Sequence, residues 1–493
     1  MFDALALWES LPAWLLVTAW VIDAGIRLVM IGIVPGNRRP TTAMAWLLTI
    51  FFMPVVGLVL FLLLGNFRLS ERRIQRQKDV NDRVLAATQH LDIDDSEFDA
   101  PDWVRSAVEL NRNLGAFPMQ EGNALEFITG YRASLEAMTA AVNDAERYVH
   151  VQFYIVGDDP EFAGPLLDAL DAASARGVKV RFLFDHLGTA RIKGFPKLKK
   201  RLNDAGIEWR AMLPVSLQRR RWRRPDLRNH RKILVIDGEV AFTGSQNLIE
   251  PGYKRASAHA AGREWVDLMA RVRGPLVTGL DVVFATDWSQ ETDENLMEDL
   301  TRVVPEVPRG SITGQIVPSG PGFKLENNLR LFTTLIYSAT EKLTITSPYF
   351  VPDDSLLYAV TTAAQRGVDV ELFVSETGDQ MLVHHAQQSY YKQLLSAGVK
   401  IYRYPAPMVL HSKCFTVDDE VAVFGSSNMD MRSFSLNLEV SVMLIGAEAV
   451  AEVTQVQDVY RAASRLLTLE EWEARPPLAR WADNAARLTA TLQ

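Results

Sequence analysis

The sequence predicts an α/β body made of two copies of one domain, preceded by an N-terminal two-helix membrane hairpin. Three observations lead there. The stretch NHRKILVIDGEVAFTGSQN (229–247) returns as HSKCFTVDDEVAVFGSSN (411–428), so that His230, Lys232, Asp237, Gly244 and Asn247 are matched by His411, Lys413, Asp418, Gly425 and Asn428 at one offset of 181 residues. β-rich runs such as YVHVQFYIV and KLTITSPYFV alternate with stretches of helical spacing such as GPLLDALDAASARG and LLYAVTTAAQRG. The first 67 residues are strongly apolar, unlike the rest of the chain.

The N-terminal elements come first. Residues 40–67 carry no charge, and their core AMAWLLTIFFMPVVGLVLFLLL (43–64) has 22 residues, enough to cross roughly 30 Å of hydrocarbon. Pro54 and Gly57 predict a kink within it. Residues 11–34 are also span-length but contain Asp23 and Arg27, each costing roughly 2.5–3.5 kcal/mol at a helix centre. Their i,i+4 spacing lets them pair on one face. A cleavable signal peptide is excluded by the acidic start, with Asp3 and Glu9, and by the second apolar stretch behind it. Residues 1–67 are therefore expected to form the hairpin, with spans at about 11–34 and 43–64. The segment 68–116 connects it to the body and opens with Arg68, Arg72, Arg73, Arg76 and Lys78, against Arg38 and Arg39 in the inter-span loop. The positive-inside rule then makes the body cytoplasmic.

The body repeats its own order of elements. GVKVRFLFD (177–185) matches GVDVELFVS (367–375), and LNDAGIEWR (202–210) matches LLSAGVKIYRY (394–404), at offsets of 190 and 192. This is a duplicated α/β domain, with repeats at 117–310 and 311–493 and a Pro/Gly/Ser-rich junction VVPEVPRGSITGQIVPSGPG. A net charge of −8 argues against a protein built to coat nucleic acid. The single cysteine, Cys414, excludes an internal disulfide and a cysteine-built zinc site, and reads as a small hydrophobe in a buried strand.

The chemistry sits in the repeated stretch. Residues two apart in a strand share a side, so His230 stands beside Lys232 and His411 beside Lys413. An ammonium neutralises an anion that the imidazole can attack or exchange protons with. Asn247 and Asn428, past a Gly-Ser turn, can add amide donors. No metal-binding carboxylate cluster accompanies either motif, and no cofactor is expected. The other histidines (90, 150, 186, 259, 384 and 385) are read as surface or core groups, and Tyr154 and Tyr349 as packing groups.

This H-x-K-x4-D…G-S-x-N pattern, intact twice, resembles the phospholipase D superfamily. The resemblance implies two α/β/α sandwich repeats about a pseudo-twofold axis, with one site between them. It implies a catalytic set of His230, Lys232, Asp237, His411, Lys413 and Asp418, with His230 the covalent nucleophile and His411 the acid and base. Asp237 and Asp418 fall to structural support. It also implies a carboxylate orienting each histidine, a role carried to Asp267 and Glu439, with Glu264 as a competitor.

Within that superfamily the full chain looks most like bacterial cardiolipin synthases, including RRPTTAMAWLL, LLLGNFRLSERR and LRNHRKILVIDG. This implies phosphatidyl transfer between two phosphatidylglycerol molecules at the bacterial inner membrane, by a multi-pass protein with a cytoplasmic body. The partners implied are anionic phospholipid and the bilayer, with no nucleic acid. The run LQRRRWRRPDLRNHRK places Arg219, Arg220, Arg221, Arg223, Arg224 and Arg228 just before His230, where contact with anionic headgroups is expected. A membrane-anchored phospholipase D hydrolysing lipid to phosphatidic acid is the alternative, since the same residues would serve with water as acceptor.

Overall fold

A computed structural model describes residues 12–36, 38, 40–65, 71–91, 100–215, 225–292, 294–296, 309–323 and 326–490. They fall into two compact units, Met1–Arg68 and Leu69–Gln493.

In the N-terminal unit, Ala13–Ile33 is one uninterrupted helix of 21 residues, about 31 Å long at 1.5 Å per residue. Among the described residues it is the one helix long and apolar enough to cross a membrane. Asp23 and Arg27 pair on its surface at 2.7 Å. The second expected span is different. It consists of two helices, Pro40–Phe52 and Pro54–Leu64, broken at Met53 (φ −136°, ψ 71°). Pro54 has no N–H to continue the first helix and starts the second instead. The two then fold back: Trp46 meets Phe61 edge-on at 5.5 Å, and Arg38 donates to the Gly65 carbonyl at 2.9 Å. A straight helix would hold Trp46 and Phe61 about 22 Å apart, so the chain reverses within this stretch.

In the body the strands run, in chain order, β1 (Met119–Ile128), β2 (Tyr148–Phe153), β3 (Lys179–Asp185), β4 (Glu208–Met212), β5 (Arg228–Asn229), β6 (Ile233–Ile236), β7 (Val240–Gly244), β8 (Trp265–Val266) and β9 (Met269–Arg273). The second series is β10 (Ile312–Ser319), β11 (Lys342–Thr346), β12 (Phe350–Val351), β13 (Asp369–Ser375), β14 (Lys400–Tyr404), β15 (Val409–Leu410), β16 (Cys414–Val417), β17 (Val421–Gly425), β18 (Met429–Asp430), β19 (Asn437–Ile445) and β20 (Arg465–Leu467). One mixed sheet joins both series in the order β20-β14-β13-β11-β16-β17-β19-β10-β1-β9-β7-β6-β2-β3-β4. Read outward from its middle, the order is the same in both directions. The pseudo-dyad passes between β1 and β10, which pair antiparallel (Met119 opposite Gln315), as a twofold normal to the sheet requires.

β10 lies inside the stretch expected to be a linker. Its Pro318 and glycines resemble a loop composition, yet the strand is buried and hydrogen-bonded on both edges. Gln315 on it is fully buried and donates to the carbonyls of Val108 and Phe117 at 3.1 and 2.9 Å.

Helices cover both faces. Leu276–Glu291 and Ala447–Ala463 lie on one face over a core shared by both repeats, which runs from Leu280 and Trp288 to Val440 and Tyr460. On the other face each repeat has its own core: Tyr131–Asn143 and Ala163–Ala175 over the first, Asn327–Ser338, Asp354–Gln365 and Met381–Ser396 over the second.

The motif glycines are explained by backbone approach. A Cβ on Gly244 (φ 155°) would fall on the Leu268 carbonyl oxygen and 2.9 Å from the Met269 Cα. One on Gly425 (φ 154°) would fall on the Val440 carbonyl and 2.6 Å from the Ser441 Cα. Both contacts are backbone and cannot swing away. Gly244→Ala and Gly425→Ala should each lower stability by about 2–4 kcal/mol, read as a drop in urea midpoint on the detergent-solubilised chain.

Candidate active site

Each histidine follows a two-residue strand that crosses to the other repeat. β5 pairs in parallel with the start of β19, and β15 pairs in parallel with β8. The His230 N–H then donates to the Leu438 carbonyl at 2.8 Å, and the His411 N–H to the Val266 carbonyl at 2.7 Å. The side chains repeat the exchange. His230 Nδ1 lies 2.9 Å from Glu439 Oε2, and His411 Nδ1 lies 2.7 Å from Asp267 Oδ1. So Asp267 and Glu439 do stand beside the motif histidines, but each serves the histidine of the opposite repeat. Glu264, the competitor, is exposed and offers only its backbone carbonyl, to the Val409 N–H at 2.9 Å.

Both neighbours of His230 Nδ1, the carboxylate and the Ser426 carbonyl at 3.1 Å, can only accept. Nδ1 therefore carries the proton and Nε2 keeps its lone pair. The Ser426 hydroxyl donates to Glu439 Oε2 at 2.5 Å and accepts from the Val440 N–H at 2.9 Å. Ser245 does the same for Asp267, at 2.6 Å, and for Leu268, at 2.9 Å. These serines were not singled out in the sequence, although their place in both G-S-x-N copies marked them.

All of these groups are buried. Lys232 is fully inaccessible; its Nζ donates to the His230 carbonyl at 2.5 Å, and Lys413 Nζ likewise donates to the His411 carbonyl. A lysine has three donors, so each ammonium has hydrogens left for an anion. Burial pushes the His230 pKa down to about 4, against the opposing pull of Glu439, and Lys232 lowers it further. Burial and Lys413 lower His411 too, with Asp267 opposing. Burial holds Lys232 well below the ordinary lysine range and brings Lys413 to about 8. For Asp267 and Glu439 burial acts upward, but the facing histidine, the lysine and the serine together hold each carboxyl below its usual range. The result is two neutral imidazoles, two carboxylates and two lysine side chains in one buried cluster.

Not every expected residue reaches it. Asp237 and Asp418 stand at left-handed turns (φ 54° and 49°) and are not at the reacting groups. Asp237 accepts from the N–H groups of Glu146, Arg147 and Tyr148, each at 2.8 Å, and Asp418 from those of Thr340, Glu341 and Lys342 at 2.8–2.9 Å. They fix the entries to β2 and β11. Asn247, expected as a phosphate donor, spends its amide on the Tyr253 hydroxyl at 2.9 Å and accepts from the Ile155 N–H at 3.2 Å. Asn428 is buried, and its Oδ1 makes no hydrogen bond within the protein. Arg228 is no headgroup contact: it is buried and paired with Asp185 at 3.1 Å. Arg219, Arg220, Arg221, Arg223 and Arg224 lie outside the described residues.

Three further residues complete the site. Tyr154 sets its ring edge against His230 at 5.0 Å, with Lys232 Nζ 5.7 Å from its centre, and Tyr349 faces His411 at 6.4 Å. Both tyrosines pack, but they pack against the histidines. Arg231, fully buried, holds the Glu439 carbonyl at 2.9 Å and the Ser319 carbonyl at 3.1 Å, and pairs with Asp287 at 2.6 Å. Its counterpart Ser412 meets the Tyr460 hydroxyl at 2.7 Å instead. The site is thus symmetric in its reacting groups and asymmetric behind them.

Comparison with known proteins gives the family and the fold. The family model described as "Cardiolipin synthase, PLD-like domain" matches residues 138–260 and 332–458, and "Phospholipase_D-nuclease N-terminal" matches 24–66. A protein named cardiolipin synthase A from Yersinia pseudotuberculosis is 36% identical over 466 residues, covering 93% of each chain. One of the same name from Pectobacterium carotovorum is 35% identical over 481 residues, covering 94% of this chain and 95% of its own. Among solved structures, the phosphatidylserine synthase of Haemophilus influenzae superposes with a TM-score of 0.60 at 16% identity, over 78% of this chain and 99% of that one. That likeness shows the fold.

Histidine titration by nitrogen NMR tests the electrostatics. His230 should stay neutral down to about pH 4, and His411 should titrate below 6.5. Because Glu439 raises the His230 pKa, Glu439→Gln should move that midpoint lower still.

Proposed function

The chain belongs to the cardiolipin synthase family of phospholipase D-like proteins, and we propose that it joins two phosphatidylglycerol molecules into cardiolipin and glycerol. The activity is that of a phosphatidyltransferase. One observation carries the mechanism: two buried imidazoles, each held at Nδ1 by a carboxylate of the opposite repeat, lie in one cluster with two buried lysines.

His230 Nε2, unprotonated, attacks the phosphorus of the first lipid. Lys232 and Lys413 offset the charge that builds on the non-bridging oxygens. The bond from phosphorus to the glycerol headgroup breaks, and His411 gives that oxygen its proton. The entering phosphodiester is an anion, which favours the protonated form of His411 that this step needs. The terminal hydroxyl of a second phosphatidylglycerol then loses its proton to His411 and attacks phosphatidyl-His230. One phosphodiester replaces another, so the reaction balances without a nucleotide. Giving the nucleophilic role to His230 rests on the superfamily resemblance.

The apolar N-terminal unit supports a membrane anchor with a cytoplasmic body. Ala13–Ile33 crosses and 40–64 enters and returns, each of its helices being too short to span. Arg38, Arg39, Arg68, Arg72 and Arg73 all follow Ala13–Ile33 in the sequence, which accords with the positive-inside rule for a cytoplasmic body.

The decisive experiment reconstitutes the chain in phosphatidylglycerol vesicles without nucleotide and resolves the lipids by mass spectrometry beside His230→Ala. Cardiolipin and glycerol from the native chain alone support the reading, and phosphatidic acid in their place overturns it in favour of a hydrolase. Glu439→Gln should cut turnover by about 10²–10⁴, since a neutral amide no longer fixes the reactive tautomer. The kcat/KM profile should rise through about pH 4 as His230 loses its proton. It should fall again below about pH 6.5, as His411 loses its proton.

A further inference from the structure

A reaction on bilayer lipids at a buried site raises a physical difficulty. Lifting a diacyl lipid out of the membrane costs about 0.8 kcal/mol for each CH₂ exposed, so the mouth of the site must rest on the bilayer itself. The second repeat carries a surface that fits this need.

The helix Met381–Ser396 opens with Met381 and Leu382, exposed by 73% and 54%. The helix Pro477–Arg487 opens with Leu478 and Trp481, exposed by 74% and 68%. The two helices lie side by side. His385 meets Asp483 at 2.8 Å and, further along, Arg487 stands over the Tyr390 ring at 4.4 Å, so the helices run parallel. Met381, Leu382, Leu478 and Trp481 thus lie exposed near the same, N-terminal end of the two helices, four large apolar side chains at one end of the pair. The neighbouring acids are neutralised: Asp483 by Arg475 at 2.8 Å and Glu473 by Lys392 at 2.8 Å. Arg480, exposed beside Trp481, faces solvent at the patch edge.

This patch connects directly to the catalytic cluster. The two residues before Met381 hold Tyr349: Asp379 accepts from its hydroxyl at 2.8 Å, and Gln380 donates to it at 3.4 Å. The Tyr349 ring stands against His411. Tyr349, Thr377, Asp379, Gln380 and His384 line one small cleft between patch and site.

We infer that Met381, Leu382, Leu478 and Trp481 form a bilayer-docking surface that seats the mouth of the His411 half on the membrane, with the apolar side chains in the acyl boundary and Arg480 at anionic headgroups. The inference rests on the proposed lipid substrate. Tryptophan amid aliphatic and arginine side chains suits the membrane–water boundary, and a short helix with one apolar edge binds there by lying in the interface plane.

The test uses the full chain with His230→Ala, reconstituted in phosphatidylglycerol vesicles, so its readout does not depend on catalysis. Trp481→Cys carries a nitrobenzoxadiazole label, the native Cys414 being buried. Leu478→Cys is a second reporter. Tyr337→Cys is the control, because it ends the helix that enters β11 and so lies at the opposite edge of the sheet from His411. With nitroxide-tailed lipid, both patch labels should lose about half their emission or more and shift to the blue, while the control stays unquenched. Patch labels that remain solvated like the control overturn the inference. Labels that shift to the blue without lipid quenching also overturn it, since protein then covers the patch. Quenching combined with absence of cardiolipin in the native chain would retain the docking surface and reject the proposed reaction.

Discussion

The structure depends on an exchange across the pseudo-dyad. Each motif histidine takes its backbone partner and its carboxylate from the opposite repeat: Leu438 and Glu439 for His230, Val266 and Asp267 for His411. Neither repeat can build half a site by itself. The antiparallel pairing of β1 with β10 and the core shared beneath Leu276–Glu291 and Ala447–Ala463 hold the exchange in register. A displacement of the repeats by even an ångström would break the backbone and the side-chain hydrogen bond of each histidine at once, and the sheet runs unbroken through the middle.

That exchange also makes the burial of charge tolerable. An unpaired buried ion costs several kcal/mol, and this cluster buries two lysines and two carboxylates. Every carboxylate meets a histidine and a serine, and every ammonium meets a carbonyl. Burial lowers the local dielectric, through which the lysines act on a phosphate. Arg231 and Asp287 extend the network on the His230 side alone, bracing the main chain of Glu439 where the other half has only Ser412 and Tyr460. Two identical motifs therefore sit in unlike surroundings, which suits two different chemical roles.

Much of this was legible beforehand, for particular reasons. His230, Lys232, His411 and Lys413 stood out because one spacing occurs twice, and strand alternation already put each pair on one side. Asp267 and Glu439 followed from aligning the ends of two strands. Ser245 and Ser426 were passed over because serine after glycine reads as a turn, although each holds a catalytic-site carboxylate. Arg228 was read with its neighbours as a headgroup contact and Arg231 was not singled out, but the chain draws both inward to Asp185 and Asp287. Composition misread one other place, where Pro318 and nearby glycines disguised β10 as a linker, while the kink expected at Pro54 is a chain reversal at Met53.

The sequence by itself singled out the paired histidines and lysines, the duplication that brings two of each, and the α/β alternation that carries them, because these depend on residue identity and on local period. Only the tertiary structure decided which carboxylate serves which histidine, which arginines are buried, and that the apolar surface of Met381, Leu382, Leu478 and Trp481 comes together. Those are contacts between residues 140 to 210 positions apart at the active site, and about 100 apart at the patch. Periodicity reports the face a residue takes within its own element; partners across a dyad are set by how whole elements pack, and no local pattern encodes that.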